Sequence, residues 1–389
     1  MVDAAIVRTV RVGARPFMVL VDVPTRRVFV LAQTSPAIGG AATLTMSVLD
    51  ATTGALLHRL SIGMAIYVGA ATVDVQSGQL LLVTGSQVTD NSLIAGPGTV
   101  RVFDGWTGNP VRAYPAGVSP RAIAVDGARH RVFVLDAGAL DSGGFPTGSA
   151  TMRILNAVTG ARLHAVPVGR QGLGGGYIAL DTRLGRVFVT DTDGIQTLDE
   201  AAGATRAHTS LPTPPISLAV DERVGRVAVG LVDEQYRMEA VAILDARSGS
   251  VVRLVTGAGE AATIDSASGR LFVTNTLSGS SPSNVTVDTL DIRTGRTLAS
   301  APLTAGVGVT VVIAIDEPRR HAIVVSEAPT SGATRDLVSV LDAQSGRLKR
   351  EHLLPDLGPP AVAVDRQTAR VFVANAGDDT VSVLDATRL

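Results

Sequence analysis

The chain has 389 residues, of which 46% are hydrophobic and 18% are charged, and its net charge at pH 7 is -1. This apolar content suffices for a large core and excludes a disordered chain, and the balanced charge gives no reason to expect nucleic-acid binding. Because cysteine is absent, disulfides, thiolate metal sites and thiol catalysis are excluded. No apolar run is long enough to predict a transmembrane segment.

An internal unit occurs eight times along the chain. Each copy has an apolar run that ends in aspartate, a turn, and a second run that begins five residues after the aspartate, as in Asp265-Ser266-Ala267-Ser268-Gly269-Arg270-Leu271-Phe272-Val273. The eight aspartates are Asp22, Asp74, Asp126, Asp181, Asp221, Asp265, Asp316 and Asp365. We interpret them as structural, because a carboxylate before a tight turn accepts N–H groups of that turn. The basic residue that usually follows five positions on permits an ion pair across the turn.

The repeat predicts four antiparallel β-strands per copy, since Val-, Ile- and Phe-rich runs alternate with clusters of Asp, Gly, Ser and Thr. Eight such units are typical of a β-propeller. We therefore predict an all-β fold, a single eight-bladed β-propeller domain over residues 1–389. Its predicted inner strands lie near 19–22, 71–74, 123–126, 178–181, 218–221, 262–265, 313–316 and 362–365.

The two ends of the chain predict how the ring closes. Residues 6–12 align with the fourth strand of other copies, and the chain ends with a third strand, Val381-Ser382-Val383-Leu384-Asp385. We predict that residues 6–12 form the outer strand of the last blade, which removes an otherwise open seam. The phenylalanines that recur at one repeat position, Phe188 among them, are predicted to be core residues.

Two segments resemble the repeat of the YVTN β-propeller family, with Phe in place of its Tyr. They are Arg270-Leu271-Phe272-Val273-Thr274-Asn275 and Arg370-Val371-Phe372-Val373-Ala374-Asn375. The resemblance implies a bacterial propeller that is extracellular, periplasmic or at the cell surface, with a signal peptide absent from this sequence. The family is similar to lactonase-type and streptogramin-lyase-type propellers, so the resemblance also implies an enzyme as one alternative.

The residues favour a non-catalytic binding or scaffold propeller. The six histidines fall in predicted outer strands or turns, so none is expected at the central channel, where a lyase-like mechanism needs one. The alternative is a lactonase- or lyase-like enzyme with a site at the channel mouth. We expect the protein to be monomeric and to bind a protein or a small polar ligand.

The candidate site lies at the end of the ring that carries the long, dissimilar loops between second and third strands. Five residues before each repeat aspartate, the chain is mostly apolar, and the charged exceptions are Arg121 and Glu260. We predict that Arg121 and Glu260 orient a small polar ligand across the channel mouth, with Phe17 and Tyr177 as apolar contacts. No cofactor or metal site is predicted, although the acidic loops could hold a divalent cation.

Overall fold

The computed structural model describes residues 5–34, 43–64, 66–89, 92–141, 145–171, 176–232, 238–257, 262–276, 285–304, 311–330, 333–354 and 361–389. The described residues form 32 β-strands and one short 3-10 helix, Glu317–Arg319. The strands assemble into eight four-stranded antiparallel sheets, which confirms the predicted eight-bladed propeller. Among the described residues, no helix combines the length and apolar character that a membrane span requires.

The first strand, β1 (Ile6–Arg11), belongs to the last blade, and the following strands form blades 1 to 7 four at a time. Blade 1 contains β2 (Pro16–Asp22), β3 (Arg27–Gln33), β4 (Thr43–Asp50) and β5 (Leu56–Met64). Blade 2 contains β6 (Ile66–Asp74), β7 (Gln79–Thr89), β8 (Ser92–Asp104) and β9 (Pro110–Gly117). Blade 3 contains β10 (Pro120–Asp126), β11 (Arg131–Asp136), β12 (Ser149–Asn156) and β13 (Arg162–Arg170). Blade 4 contains β14 (Ile178–Asp181), β15 (Arg186–Asp191), β16 (Gly194–Asp199) and β17 (Thr205–Ser210).

The second half of the ring repeats this arrangement. Blade 5 contains β18 (Pro215–Asp221), β19 (Arg226–Val232), β20 (Met238–Asp245) and β21 (Val251–Thr256). Blade 6 contains β22 (Ala262–Asp265), β23 (Arg270–Thr276), β24 (Val285–Asp291) and β25 (Thr297–Leu303). Blade 7 contains β26 (Val312–Asp316), β27 (His321–Thr330), β28 (Ala333–Asp342) and β29 (Leu348–Leu353). Blade 8 contains β30 (Ala361–Asp365), β31 (Arg370–Asn375), β32 (Thr380–Asp385) and, as its outer strand, β1.

The first strand of each blade is the inner one. First strands of neighbouring blades contact one another around the ring, as β6 contacts β10 and β2 contacts β30. The contact between β2 and β30 closes the ring between blades 1 and 8. The N-terminal strand secures this closure, since β1 pairs antiparallel with β32 in the register Thr9↔Ser382 and Val10↔Val381. The predicted role of the N-terminal strand is confirmed.

The core lies between the blades. Five of the eight second strands carry a phenylalanine at one repeat position, and each of these rings is buried and packs against the blade that follows. Phe188 of blade 4, for example, clusters with Val227 and Val229 of blade 5. The five phenylalanines at this position, all no more than 1% exposed, are Phe29, Phe133, Phe188, Phe272 and Phe372. Their prediction as core residues is confirmed, and the ring is held together by these contacts between sheets.

The repeat aspartates are buried in their turns, but they do not pair with the basic residue five positions on. In five blades that residue is an arginine that pairs with the aspartate that ends the third strand, as Arg226 Nη1 does with Asp245 Oδ2 at 2.8 Å. Antiparallel pairing explains this outcome, because Arg226 lies directly opposite Asp245 in the register of β19 and β20. The side chain of the first aspartate instead points into the turn that follows it. In blade 1, for example, Asp22 Oδ2 accepts a hydrogen bond from Thr25 Oγ1 at 2.6 Å. The ion pair suggested by the sequence was therefore assigned to the wrong carboxylate.

Candidate functional site

The two ends of the ring differ in regularity. At the short-turn end, where first strands join second strands and third strands join fourth strands, the connections are short and nearly uniform. At the opposite end, called the long-loop end here, connections between second and third strands differ from blade to blade. The ladders of blades 2 and 7 continue to the pairs Thr89↔Ser92 and Thr330↔Ala333, whereas blade 4 turns back at Asp191↔Gly194. The long-loop end is therefore uneven in height around the ring.

The four predicted site residues come from four blades of the ring. Phe17 lies in β2, is half-buried and packs against the core between blades 1 and 2. Arg121 lies in β10 and is half-buried. Tyr177 precedes β14, and its backbone N–H donates to Thr190 Oγ1 at 2.9 Å. Glu260 lies outside the described residues, so the site formed by these four side chains stays a prediction.

Asp136 anchors the segment that leads to Arg121. Its buried Oδ1 accepts backbone N–H groups of Val118 at 3.0 Å and Ser119 at 2.8 Å. Its Oδ2 receives Arg153 Nη2 at 2.8 Å. Glycine is required next to this carboxylate, because a Cβ at Gly117, where φ is +118°, would lie 2.0 Å from Asp136 Oδ2. The entry to β10 is thus fixed by a charged clamp, which holds the backbone of Arg121 in one position.

Blade 4 has a related carboxylate that the sequence did not connect with its partner. Asp191 is buried, and its Oδ2 lies 3.0 Å from His208 Nε2 on the outer strand β17. Its Oδ1 accepts the backbone N–H of Asp193 at 2.9 Å. A histidine oriented by a carboxylate is one part of a catalytic triad. In the described part of the chain, no hydroxyl group hydrogen-bonds to His208, so no triad is assembled around this pair there.

No metal centre is formed by the residues that the structure describes. Nowhere among them do three His, Asp or Glu side chains converge in a way that could hold a metal ion. The acidic loops for which a divalent cation was considered include segments outside the described ranges, such as 233–237 and 258–261. A cation at the long-loop end therefore stays a hypothesis.

One buried carboxyl breaks the repeat at the short-turn end. Glu200, only 1% exposed, follows the aspartate that ends the third strand of blade 4. The equivalent residues of the other blades are small or apolar: Ala51, Gly105, Ala157, Ala246, Ile292, Ala343 and Ala386. Glu200 reaches blade 3, where Arg129 Nη1 lies 3.3 Å from its Oε2 and 2.6 Å from Asp126 Oδ2. The sequence carried this signal, since a single glutamate stands in an otherwise apolar set.

Arg129 lies near both carboxyl groups, but the pKa values of Glu200 and Asp126 shift in opposite directions. Burial, followed by the hydrogen bond to Asp126 and the charge of Asp126, raises the pKa of Glu200 from 4.5 to about 7. Burial also acts to raise the pKa of Asp126, but hydrogen bonds from Arg129 and Glu200 outweigh it and lower that pKa. Glu200 is therefore the member of the pair that holds a proton near pH 6.

Replacing Glu200 by Gln should change how stability depends on pH. Because the pKa of Glu200 is higher in the folded chain than its ordinary value of 4.5, its contribution to stability is present below that value and is lost as pH rises through about 7. Glu200→Gln should therefore resemble the wild type at pH 5 and be more stable by about 2–3 kcal/mol at pH 8. Urea unfolding at the two pH values measures this, with Glu222→Gln as the control. Equal pH dependence in Glu200→Gln and the wild type would contradict the assignment.

Two depressions lie at the short-turn end. One of about 430 Å³ lies between blades 4 and 5, and one of about 330 Å³ lies between blades 6 and 7. Arginines at the first of them are used between blades, since Arg183 Nη1 donates to Glu222 O at 3.2 Å and Arg223 Nη1 donates to Ala267 O at 2.9 Å. These arginines tie neighbouring blades together, so we assign them a structural role.

Comparison with known proteins places the chain by its fold alone. No family model matches the chain, and no curated protein matches its sequence. Among solved structures, it is similar to a chain of Kuenenia stuttgartiensis hydrazine synthase, with 16% identity, a TM-score of 0.56, and coverage of 82% of this chain and 95% of that one. It is also similar to Saccharomyces cerevisiae Sqt1, with 14% identity, a TM-score of 0.60, and coverage of 97% and 95%. A chain of the mitotic checkpoint complex matches with 12% identity, a TM-score of 0.57, and coverage of 99% and 93%. The comparisons thus support the β-propeller fold, whereas membership of the YVTN family stays a prediction.

Proposed function

We propose that the protein is a non-catalytic binding or scaffold propeller and that its long-loop end recognises the partner. The observation that carries this proposal is the uneven height of that end, where the ladders of blades 2 and 7 extend beyond that of blade 4. Irregular segments on a rigid frame are the usual places for recognition, and the short-turn end offers no comparable variation. One similar structure, the mitotic checkpoint complex, is by its title an assembly, which agrees with a scaffold role.

The hairpin of blade 2 offers a direct test. Replacing residues 86–97 by the two-residue connection of blade 4, Thr192-Asp193, should remove partners that depend on this end while leaving the ring folded. Affinity capture with quantitative mass spectrometry should then lose proteins that the wild type retains. Trp106→Ala, which alters a 55% exposed side chain at the short-turn end, is the control and should lose none. Identical protein sets from the shortened variant and the wild type would refute the proposal.

Within this end, we place a small polar ligand at Arg121 and Glu260, with Phe17 and Tyr177 as apolar contacts. The clamp of Asp136 on the segment before β10 supports this choice, because it fixes the backbone that carries Arg121. A thermal-shift screen of small polar compounds should give ligands that raise the Tm of the wild type but not of Arg121→Ala. Arg247→Ala, an exposed arginine at the short-turn end, should respond as the wild type does. Ligands that stabilise Arg121→Ala equally would remove Arg121 from the site.

We also propose that the protein acts as a monomer and needs no cofactor. Its resemblance to the YVTN repeat supports a location outside the cytoplasm. The enzymatic alternative is tested with a panel of lactones in the presence of Ca²⁺, Mg²⁺, Mn²⁺ or Zn²⁺. No turnover is expected. Hydrolysis that disappears in Arg121→Ala would contradict a non-catalytic role and would place a lactonase site at the channel mouth.

A further inference from the structure

The outer strand of blade 5 is an unusually apolar sheet edge. β21 is paired on one side only, with β20, so its other side faces solvent. Val251, Val252 and Leu254 within it are 42%, 45% and 40% exposed. Exposed edge strands template pairing with another chain unless proline or charged side chains interrupt them. β21 has no proline and one charged residue, Arg253.

The other seven outer strands do carry such interruptions. β9, β13 and β25 contain proline. β1, β5, β17 and β29 each contain two or more charged or histidine side chains. The absence of these devices is therefore a property of β21 and not of outer strands in general.

The register of the blades shows where the apolar character arises. Leu254 lies opposite Ala242 on β20. The register shifts at Val252, which lies between the pairs Ile243↔Arg253 and Leu244↔Val251, so Val252 is the extra residue of a bulge at this edge. In each of the other blades, the corresponding pair contains at least one polar or charged side chain. These pairs are Thr9↔Ser382, Arg59↔Ser47, Ala113↔Arg101, Ala165↔Arg153, His208↔Gln196, Ser300↔Asp288 and Glu351↔Ser339.

The flank of this edge is basic. Arg253 points toward blade 6, since its Cγ lies where a side chain on Gly295 would be placed. Exposed Arg293 and Arg296 belong to the same turn as Gly295, and exposed Arg247 lies in the turn that precedes β21. Among the described residues, no carboxylate lies within ion-pair distance of these four arginines. The nearby carboxylates of Asp245 and Asp291 pair instead with Arg226 and Arg270.

We propose that β21 is a docking edge for an extended peptide segment of a partner protein, which pairs with β21 as a fifth strand of blade 5. The segment would place apolar side chains beside the exposed Val252 and Leu254 and acidic side chains beside the flanking arginines. The size of the edge favours a peptide over a second copy of this chain. Six residues extend about 20 Å, and one such edge between two convex rims is far smaller than the roughly 1,200–2,000 Å² of a stable interface.

Phage display of random ten-residue peptides against the immobilised protein tests the proposal. The wild type should enrich peptides with alternating apolar residues and flanking Asp or Glu. Synthetic copies of these peptides, measured by fluorescence polarisation, should bind Leu254→Lys at least tenfold more weakly. Leu163→Lys is the matched control, because Leu163 is 43% exposed on the outer strand of blade 3, and it should bind as the wild type does.

Charge reversal separates the arginines from the apolar edge. The triple variant Arg247→Glu, Arg293→Glu and Arg296→Glu should bind the acidic peptides at least tenfold more weakly and should enrich Lys- or Arg-flanked peptides in a fresh selection. Failure of the wild type to enrich any peptide that Leu254→Lys does not would overturn the proposal. So would light scattering that shows a wild-type dimer converted to a monomer by Leu254→Lys, since the occupant would then be a second copy.

Discussion

Deletion of residues 1–12 is expected to destabilise the whole ring by about 5 kcal/mol or more, because it removes the outer strand of blade 8 together with buried apolar side chains. Val12 is fully buried and Ala5 is 2% exposed. The deletion also removes contacts at both ends of β1, since Val12 N donates to Asp379 O at 3.0 Å and Asp385 N donates to Ala5 O at 2.8 Å. The edge of β32 would then be open to solvent.

Differential scanning calorimetry of the truncated and full-length chains measures this loss, and a peptide of residues 1–12 added in trans provides the control. The peptide should restore much of the Tm, because the lost strand can pair again with β32. A peptide with Val10→Asp and Val12→Asp should not, since both positions belong to the core between blades 8 and 1. An unchanged Tm in the truncated chain would show that β1 does not hold the ring closed.

The fold could be predicted from the sequence because its four-stranded unit occurs eight times. A single strand of a few residues is a weak signal, but the same apolar runs and turns in eight copies leave few alternatives. The closure was also predictable, since the first strand of the chain matches a fourth strand and the last strand of the chain is a third one. Both conclusions depend on local pattern and on its repetition.

The contacts of individual side chains were harder to predict from the sequence, because they depend on which atoms the folded ring brings together. His208 and Asp191 are 17 positions apart on strands that are not adjacent in their sheet, and nothing in the local sequence joins them. The basic residue after each turn was assigned to the nearer aspartate, whereas the register places it opposite the farther one. Glu200 and Leu254 are visible in the sequence, since each departs from the residues at its own repeat position.

Phe188→Ala is expected to cost about 3–5 kcal/mol of unfolding free energy, the usual range for a buried aromatic side chain. Phe188 is 1% exposed and lies between blades 4 and 5, in one core cluster with Ile195 of its own blade and Val227 of the next. The neighbouring sheets are each held by their own ladders, so they cannot close around the missing ring, and a cavity remains. Phe188→Leu should cost less, because it keeps most of the volume.

Urea unfolding of the wild type, Phe188→Ala and Phe145→Ala distinguishes burial at this position from a general effect of losing an aromatic ring. Phe145 is 44% exposed, so its replacement should change stability by less than about 0.5 kcal/mol.

Blade 5 shows that alanine is tolerated where the surroundings suit it, since Ala228 occupies the same repeat position and is fully buried among Val241, Ile243 and Leu271. The cost at Phe188 therefore reflects the fit between two particular blades. A loss below about 1 kcal/mol would mean that blade 5 can move to fill the space, and that the ring is more deformable than its packing indicates.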